Sequence, residues 1–193
     1  MSEFDECTFV VVKHSNPCGV ATNPDSNIAY MDAYEGDSLS AFGGVVASNK
    51  PISGSIASEI AKIFYEIVIA PEFTSEAWEI LSRKKNLRLL VRKKQQMDSY
   101  QTELRQIADG LLVQTVDSIQ ESTDDWNVVT NRKPTAREEK DLEFAWIVSK
   151  HVKSNSITVA KGSKILGIGG GQPSRVGSVD LALQKAGKLS KNA

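Results

Sequence analysis

Short, unbroken apolar runs alternate with segments of helical spacing along this sequence, and this alternation most limits the folds that it can adopt. The runs Phe9–Val12 and Ile67–Ala70 are rich in β-branched residues and too short for buried helices, so they predict buried strands. Gly43–Ser48 is a third predicted strand. Between them, Ile28–Tyr34 and Ser55–Phe64 are predicted as helices. Strands that alternate with helices predict a layered α/β fold.

The rest of the chain continues this pattern. Thr135 and Glu138 have the spacing of a capping box, at the start of a helix predicted to run to Val152. One face of this predicted helix carries Leu142, Ala145, Trp146 and Ser149. The segment from Ser15 to Gly19 is predicted as a turn, because it contains a proline and a glycine. The other predicted strands are 87–91, 110–114, 156–160 and 165–168, and the other predicted helices are 74–83 and 179–188.

Composition excludes several classes of protein. The 193 residues carry a net charge of −1, so no overall field attracts nucleic acid or an anionic membrane. A basic run near residues 83–94 lacks interleaved aromatic residues, and is interpreted as a solvated face. Two cysteines do not form a disulfide framework. The first residues do not resemble a signal peptide, and no apolar run approaches the roughly 20 residues of a membrane span. We therefore expect a cytoplasmic protein.

Lys13 and His14 are the strongest candidates for catalysis. They follow a predicted buried strand, and the end of a strand is a common place for site residues in α/β folds. A histidine can take up a proton near neutral pH, and a neighbouring lysine can stabilise a developing oxyanion. The residue types alone leave open a second interpretation, in which Lys13 is a solvated strand end and His14 is a hydrogen-bonded neighbour.

The segment Asn16-Pro17-Cys18-Gly19 raises the possibility of a zinc site. Zinc-dependent nucleobase deaminases carry His-x-Glu and later Pro-Cys-x-x-Cys. Here Asn16 occupies the glutamate position after His14, and Ala21 occupies the second cysteine position. The ligand count fails, so no metal is expected and Cys18 is interpreted as a small turn residue.

A glycine-rich segment precedes the last predicted helix. Gly167 to Gln172 resembles a dinucleotide loop weakly, because Gln172 replaces the third glycine. Arg175, just beyond, has the forked donors that grip phosphate or carboxylate groups. A flexible turn with a surface arginine explains the same residues equally well. Glu66, before the strand Ile67–Ala70, is either buried and paired or simply solvated.

Six blocks of residues, taken in order, resemble the AICAR transformylase family. The resemblance extends from Phe9 to about Lys188. The matching blocks are Lys13–Ala21, then Asp37 with Ser40–Gly44, then Glu66 with Ile69–Pro71, then Lys84–Arg88, then Lys150 with Lys153–Asn155, and finally Gly167–Arg175.

This resemblance implies an activity and a set of roles. Family members transfer a formyl group from 10-formyltetrahydrofolate, a co-substrate, to the 5-amino group of the purine-precursor nucleotide AICAR, without a metal. His14 would be the general base and Lys13 would stabilise the oxyanion. The residues implied to hold AICAR are Gly43, Glu66, Asn155 and Arg175, and Val176 would contact the folate. The family usually forms homodimers.

The resemblance also implies a fold of two cytidine-deaminase-like lobes, formed by a duplicated domain. Residues 1–134 would be a partial first lobe with a connecting segment, and residues 135–193 the start of a second lobe. The family's first and last motif blocks are not found in this sequence, so we expect a central fragment of the transformylase domain. Three alternatives follow: an enzyme, an inactive fragment that binds nucleotide or dimerises, or a chain that needs a second polypeptide to complete its site.

Overall fold

A computed structural model describes residues 1, 3–92, 102–117, 123–191 and 193 of the chain. The chain divides into a larger unit, residues 1–93 and 132–193, and a smaller unit, residues 94–131. Strands and helices alternate in the larger unit, so the predicted α/β class is confirmed.

The larger unit is built on a five-stranded sheet with the order β2-β1-β3-β4-β5. The strands are Thr8–Lys13 (β1), Asn16–Thr22 (β2), Gly44–Ser48 (β3), Tyr65–Ala70 (β4) and Arg88–Val91 (β5). β1 is antiparallel to β2 and β3, whereas β3, β4 and β5 are parallel. The carboxyl end of β1 therefore lies at the same end of the sheet as the amino ends of β3, β4 and β5.

Four helices lie between strands β2 and β5 in the chain, and each begins at a side chain that caps it. The helices are Ser26–Glu35 (α1), Ser38–Ala41 (α2), Gly54–Lys62 (α3) and Ser75–Ser82 (α4). The capping oxygens, which accept backbone N–H groups of the first turn, belong to Asp25, Asp37, Ser53 and Thr74. Such caps are the reason these helices begin where they do.

One face of the sheet packs against these helices. Phe9 and Val11 of β1 are fully buried there and belong to one apolar cluster with Tyr30 of α1, Ile56 of α3 and Leu81 of α4. Because side chains alternate along a strand, Val10 points to the opposite face. This larger cluster is the main core of the unit.

A second apolar cluster lies on the opposite face, at the β1–β2 end of the sheet. It includes residues of the later elements Ala136–Lys150 (α5), Ile157–Ala160 (β8) and Ile165–Gly169 (β9). Phe144 and Val148 of α5 pack there with Val20 and Ile165. The last α-helix, Arg175–Ala186 (α6), packs on β9. β8 and β9 pair antiparallel, and a bridge between Ala21 and Lys164 connects this hairpin to β2.

The smaller unit contains a two-stranded antiparallel hairpin, Thr102–Ile107 (β6) and Gly110–Thr115 (β7). Its side chains are mostly exposed, including those of Leu104, Leu111 and Val113. A short 3₁₀ turn, Thr123–Asp125, follows. β7 agrees with the predicted strand at 110–114, whereas β6 was not predicted because its sequence is polar.

One local prediction is wrong. The chain reverses at His14 and Ser15, and the predicted turn at Ser15–Gly19 is mostly strand β2. Pro17 is accommodated because β2 is an edge strand there, with an irregular register opposite Val12. In α5, Leu142 and Trp146 are exposed.

The predicted capping box at Thr135 and Glu138 is present in both directions. None of the helices among the described residues combines the length and apolar character needed to cross a bilayer.

Candidate functional site

A two-residue turn at the end of β1 carries the candidate catalytic pair. Lys13 is the last residue of β1 and pairs with Asn16, the first residue of β2. His14 and Ser15 connect them with φ angles of 50° and 66°. Both angles are positive, as in the type I′ turns that suit hairpins. His14 is exposed, and its imidazole has no hydrogen-bond partner among the described residues.

Lys13 and Gly43 are neighbours at this end of the sheet, where β1 finishes and β3 begins. The Lys13 ammonium donates a hydrogen bond of 2.6 Å to the carbonyl of Phe42. Gly43 has a φ of 66°, and a Cβ atom there would lie 3.0 Å from Lys13 Nζ. A side chain at this position would therefore strain the backbone and crowd the lysine. The structure brings these two candidates together.

Glu66 lies at the same end of the sheet, on the neighbouring strand β4. Its carboxylate is 4.0 Å from the guanidinium of Arg88, and both side chains are more than half exposed. The link to Gly43 runs through Phe64, whose carbonyl accepts a 2.7 Å hydrogen bond from the Gly43 N–H. Glu66, Phe64 and Arg88 line an open cavity of about 350 Å³. Of the two interpretations left open by the sequence, the solvated glutamate is the observed one.

Asn155 is bound to the loop that follows β9. Its side-chain N–H groups donate to the carbonyls of Gln172 at 2.8 Å and Pro173 at 3.1 Å. Its Oδ1 has no hydrogen-bond partner among the described residues, and therefore remains an available acceptor. Arg175 and Val176 follow this loop as the first exposed residues of α6. The structure thus places Asn155, Arg175 and Val176 around one loop.

The turn and this loop are connected through Lys153. The Lys153 N–H donates to Asn16 Oδ1 at 3.1 Å, and the Lys153 carbonyl accepts from the Gly171 N–H at 2.7 Å. The sequence did not predict a role for the Asn16 side chain, because this residue was assigned to a turn. An asparagine immediately after a hairpin tip was the available signal.

Cys18 lies on strand β2 and not in a turn. Burial, the largest effect, raises the pKa of its thiol to about 11, and its Sγ donates to the Val11 carbonyl. The thiol is therefore neutral near pH 7 and is not a nucleophile. Among the described ranges, no three His, Cys, Asp or Glu side chains cluster as metal ligands do.

The glycine-rich segment has two distinct parts. Gly167 and Gly169 lie on β9, where they allow α6 to pack directly on the strand. A Cβ atom on either residue would lie within about 2 Å of a carbonyl oxygen of α6, at Ala182 or Ser178. These two glycines therefore serve the packing of α6 on β9 rather than a dinucleotide loop. Gly171, with a φ of 69° and open space around it, belongs to the loop near Asn155.

Comparison with known proteins identifies the family. The family model described as AICARFT/IMPCHase bienzyme matches residues 1–185. Proteins named bifunctional purine biosynthesis protein PurH are similar to the chain. The protein from Enterococcus faecalis is 48% identical over 97% of this chain, and that from Synechocystis sp. is 46% identical over 100%. The alignments cover 37% and 38% of those relatives, so the chain spans less than two fifths of their length. The chain belongs to the AICARFT/IMPCHase bienzyme family.

Proposed function

We propose that the chain forms part of a formyltransferase site of purine biosynthesis, in which AICAR receives a formyl group from 10-formyltetrahydrofolate. The observation that carries this proposal is the end of the sheet where Lys13 and Gly43 are neighbours and where Glu66 lies on the adjacent strand β4. The hydrogen bonds through Lys153 connect this end of the sheet to the loop near Asn155. Membership of the family supports the same reaction.

His14 acts as the general base in the proposed reaction. The 5-amino group of AICAR is a weak nucleophile, because its lone pair is delocalised toward the carboxamide. As the nitrogen attacks the formyl carbon, the imidazole takes the amine proton, which contributes about 10²–10⁴-fold in rate. The exposed imidazole has no competing hydrogen bond from the described residues, so a nitrogen is available for this step.

Lys13 stabilises the tetrahedral intermediate. An ammonium has three N–H donors, and the bond to the Phe42 carbonyl uses one of them. The remaining donors face the charge that develops on the former formyl oxygen. The intermediate then collapses by breaking the bond to N10 of the folate, which takes up the proton held by the His14 imidazolium and leaves as tetrahydrofolate.

The other site residues supply complementary groups for AICAR. Asn155 Oδ1 accepts a hydrogen bond from an amino or carboxamide N–H, and Glu66 accepts from ribose hydroxyls. Arg175, at the first turn of α6, binds the phosphate through its guanidinium. Gly43 allows the ligand to approach the backbone beside Lys13. Val176, 69% exposed, offers an apolar contact to the folate.

A kinetic comparison of two histidine variants tests this proposal. The chain has two histidines, and the imidazole of His151 contacts the carboxylate of Glu3. With AICAR and 10-formyltetrahydrofolate, His14→Ala should reduce turnover by about 10²-fold or more. The matched control, His151→Ala, should retain it within about twofold. Equal turnover in the wild type and His14→Ala would reject the base assignment.

A second candidate is a site that another polypeptide must complete. The exposure of His14, Arg175 and Val176 favours it, because a nucleotide bound there would remain open to solvent on the described surface. The second polypeptide would be another copy in a homodimer or a chain with the family's other motif blocks. A wild type that binds AICAR but turns over only when such a chain is added would support this candidate over the first.

We also propose that the α/β fold is cytidine-deaminase-like. Residues 1–134 would form a partial first lobe with a connecting segment, and residues 135–193 would begin a second lobe. A similarity between the segments Lys13–Asn16 and Lys153–Asn155 supports a duplication, since each combines a lysine and an asparagine next to a strand. A crystal structure of a full-length relative would test this division.

A further inference from the structure

The side chain of Asn16 connects two parts of the proposed site. We infer that Asn16 is a positioning residue, which fixes the turn of Lys13 and His14 against the segment that carries Asn155. This inference rests on the proposed function and adds to it a residue that touches neither AICAR nor the folate.

The contact is a hydrogen bond between distant parts of the sequence. Asn16 Oδ1 accepts from the N–H of Lys153 at 3.1 Å, across 137 positions of the chain. Asn16 pairs directly with Lys13 in the β1–β2 ladder and lies two residues after His14. A displacement of Asn16 is therefore transmitted to both candidate catalytic residues.

The backbone of Lys153 makes a second hydrogen bond, through its carbonyl. Its carbonyl accepts from the Gly171 N–H at 2.7 Å. Two residues later, Asn155 donates from its backbone and its side chain to the Gln172 carbonyl. Ser178 of α6 donates to the Asn155 carbonyl at 2.9 Å. The hydrogen bonds thus run without a break from the catalytic turn to the loop before Arg175.

Position matters here because the reacting groups come from separate elements. In the proposed reaction, AICAR is held by Asn155 and Arg175, whereas the proton acceptor is His14. A misplacement of about 1 Å between a bound substrate and a catalytic group is enough to lower a rate about 10²-fold. The turn itself contains two residues of positive φ, and its two-residue length leaves little slack to absorb a shift.

The chemistry of this bond suggests a set of matched variants. Asn16 contributes an acceptor, so Asn16→Asp keeps the contact and Asn16→Ala removes it. If Asn16→Ala does not fold, Asn16→Leu removes the acceptor and keeps the size. Asn23 is the control, because its Oδ1 accepts the Asp25 N–H at 2.9 Å near the other end of β2.

Amide hydrogen exchange tests the contact without reference to the function. We expect Asn16→Ala to accelerate exchange at Lys153 by about tenfold, with the core of β1 unchanged. Asn16→Asp should remain within about threefold of the wild type, and Asn23→Ala should not differ at Lys153. Unchanged exchange at Lys153 in Asn16→Ala would overturn the inference.

Calorimetric titration with AICAR then tests the consequence for the site. We expect Asn16→Ala to raise the Kd about tenfold and Asn16→Asp to restore it, a rescue that a general loss of packing would not produce. Equal affinity in wild type and Asn16→Ala would overturn the positioning role. A wild type that does not bind AICAR would reject the proposed function instead, and the exchange data alone would then decide whether Asn16 couples the two segments.

Discussion

At the scale of single residues, the turn of His14 and Ser15 combines the proposed general base with backbone strain. A left-handed conformation costs a residue with a Cβ atom about 1–2 kcal/mol, and here two successive residues adopt it without being glycine. Such strain is typical of functional sites, where the surrounding structure holds the backbone in place. The strands β1 and β2 provide that support.

Ser15→Gly should therefore stabilise the fold. Glycine removes the cost of the positive φ, although part of the gain is lost to the greater freedom of the unfolded chain. We expect a net increase of about 0.5–1 kcal/mol in the free energy of unfolding, measured by urea denaturation. Ser15→Val should lower it, because a β-branched residue tolerates this φ poorly. The opposite order of the two variants would show that the turn is not left-handed.

Glu3 makes the stability depend on pH in the acidic range. Its carboxylate contacts His151 and Lys150, and the hydrogen bond from His151, the largest effect, lowers the pKa of Glu3 from 4.5 to about 2. Because the folded pKa is the lower one, this contribution is complete above about pH 4.5 and is lost as the pH falls toward 2.

Glu3→Gln should remove that contribution. At pH 6 the variant should be less stable than the wild type by on the order of 1–2 kcal/mol, and the difference should shrink between pH 4.5 and pH 3. Urea denaturation at several pH values measures both. A difference that stays constant across this range would show that the Glu3 carboxylate titrates normally in the folded state.

At the scale of elements, the close contact between β9 and α6 depends on glycine. A Cβ atom at Gly169 would lie 1.9 Å from the Ser178 carbonyl oxygen, which belongs to the backbone of α6 and cannot rotate away. Gly169→Ala should therefore lower the free energy of unfolding by about 1–3 kcal/mol or more. Gly110→Ala, at the start of β7 with no atom within 4 Å of its Cβ position, is the control and should have little effect. Comparable stability in the two variants would mean that α6 moves freely over β9.

Most elements were predictable from the sequence, because short β-branched runs and capped helical segments are local signals. The buried face of α5 was not predictable in this way. Leu142 and Trp146 have helical spacing, but so do Phe144, Val148 and Val152, and the second set is the buried one. The sequence of one helix contains both patterns, and the neighbouring elements decide which is buried.

The candidate site was predictable in its residue types but not in its geometry. The pairing of Lys13 with Asn16 follows from a turn that contains neither glycine nor proline, which propensity rules do not favour. The bond from Lys153 to Asn16 joins residues far apart in the chain, and no local pattern signals it. The glycines of β9 illustrate the converse, since a motif associated with ligands serves helix packing at Gly167 and Gly169.

At the scale of the whole molecule, the proposed site is assembled from several elements of the larger unit. Residues from β1, β4 and the start of α6 contribute, and the chain spans 38% of the length of its relative from Synechocystis sp.. We expect these elements to suffice for binding a nucleotide. Arg175 is suited to probe it, because its exposed side chain makes no hydrogen bond to the described residues.

Calorimetric titration of the purified chain with AICAR is the most direct test. We expect saturable binding to one site per chain, weakened about tenfold or more by Arg175→Ala. The control Arg105→Ala, on the hairpin of the smaller unit, should bind as the wild type does. A folded chain that shows no binding, or that binds AICAR equally well without Arg175, would contradict the account.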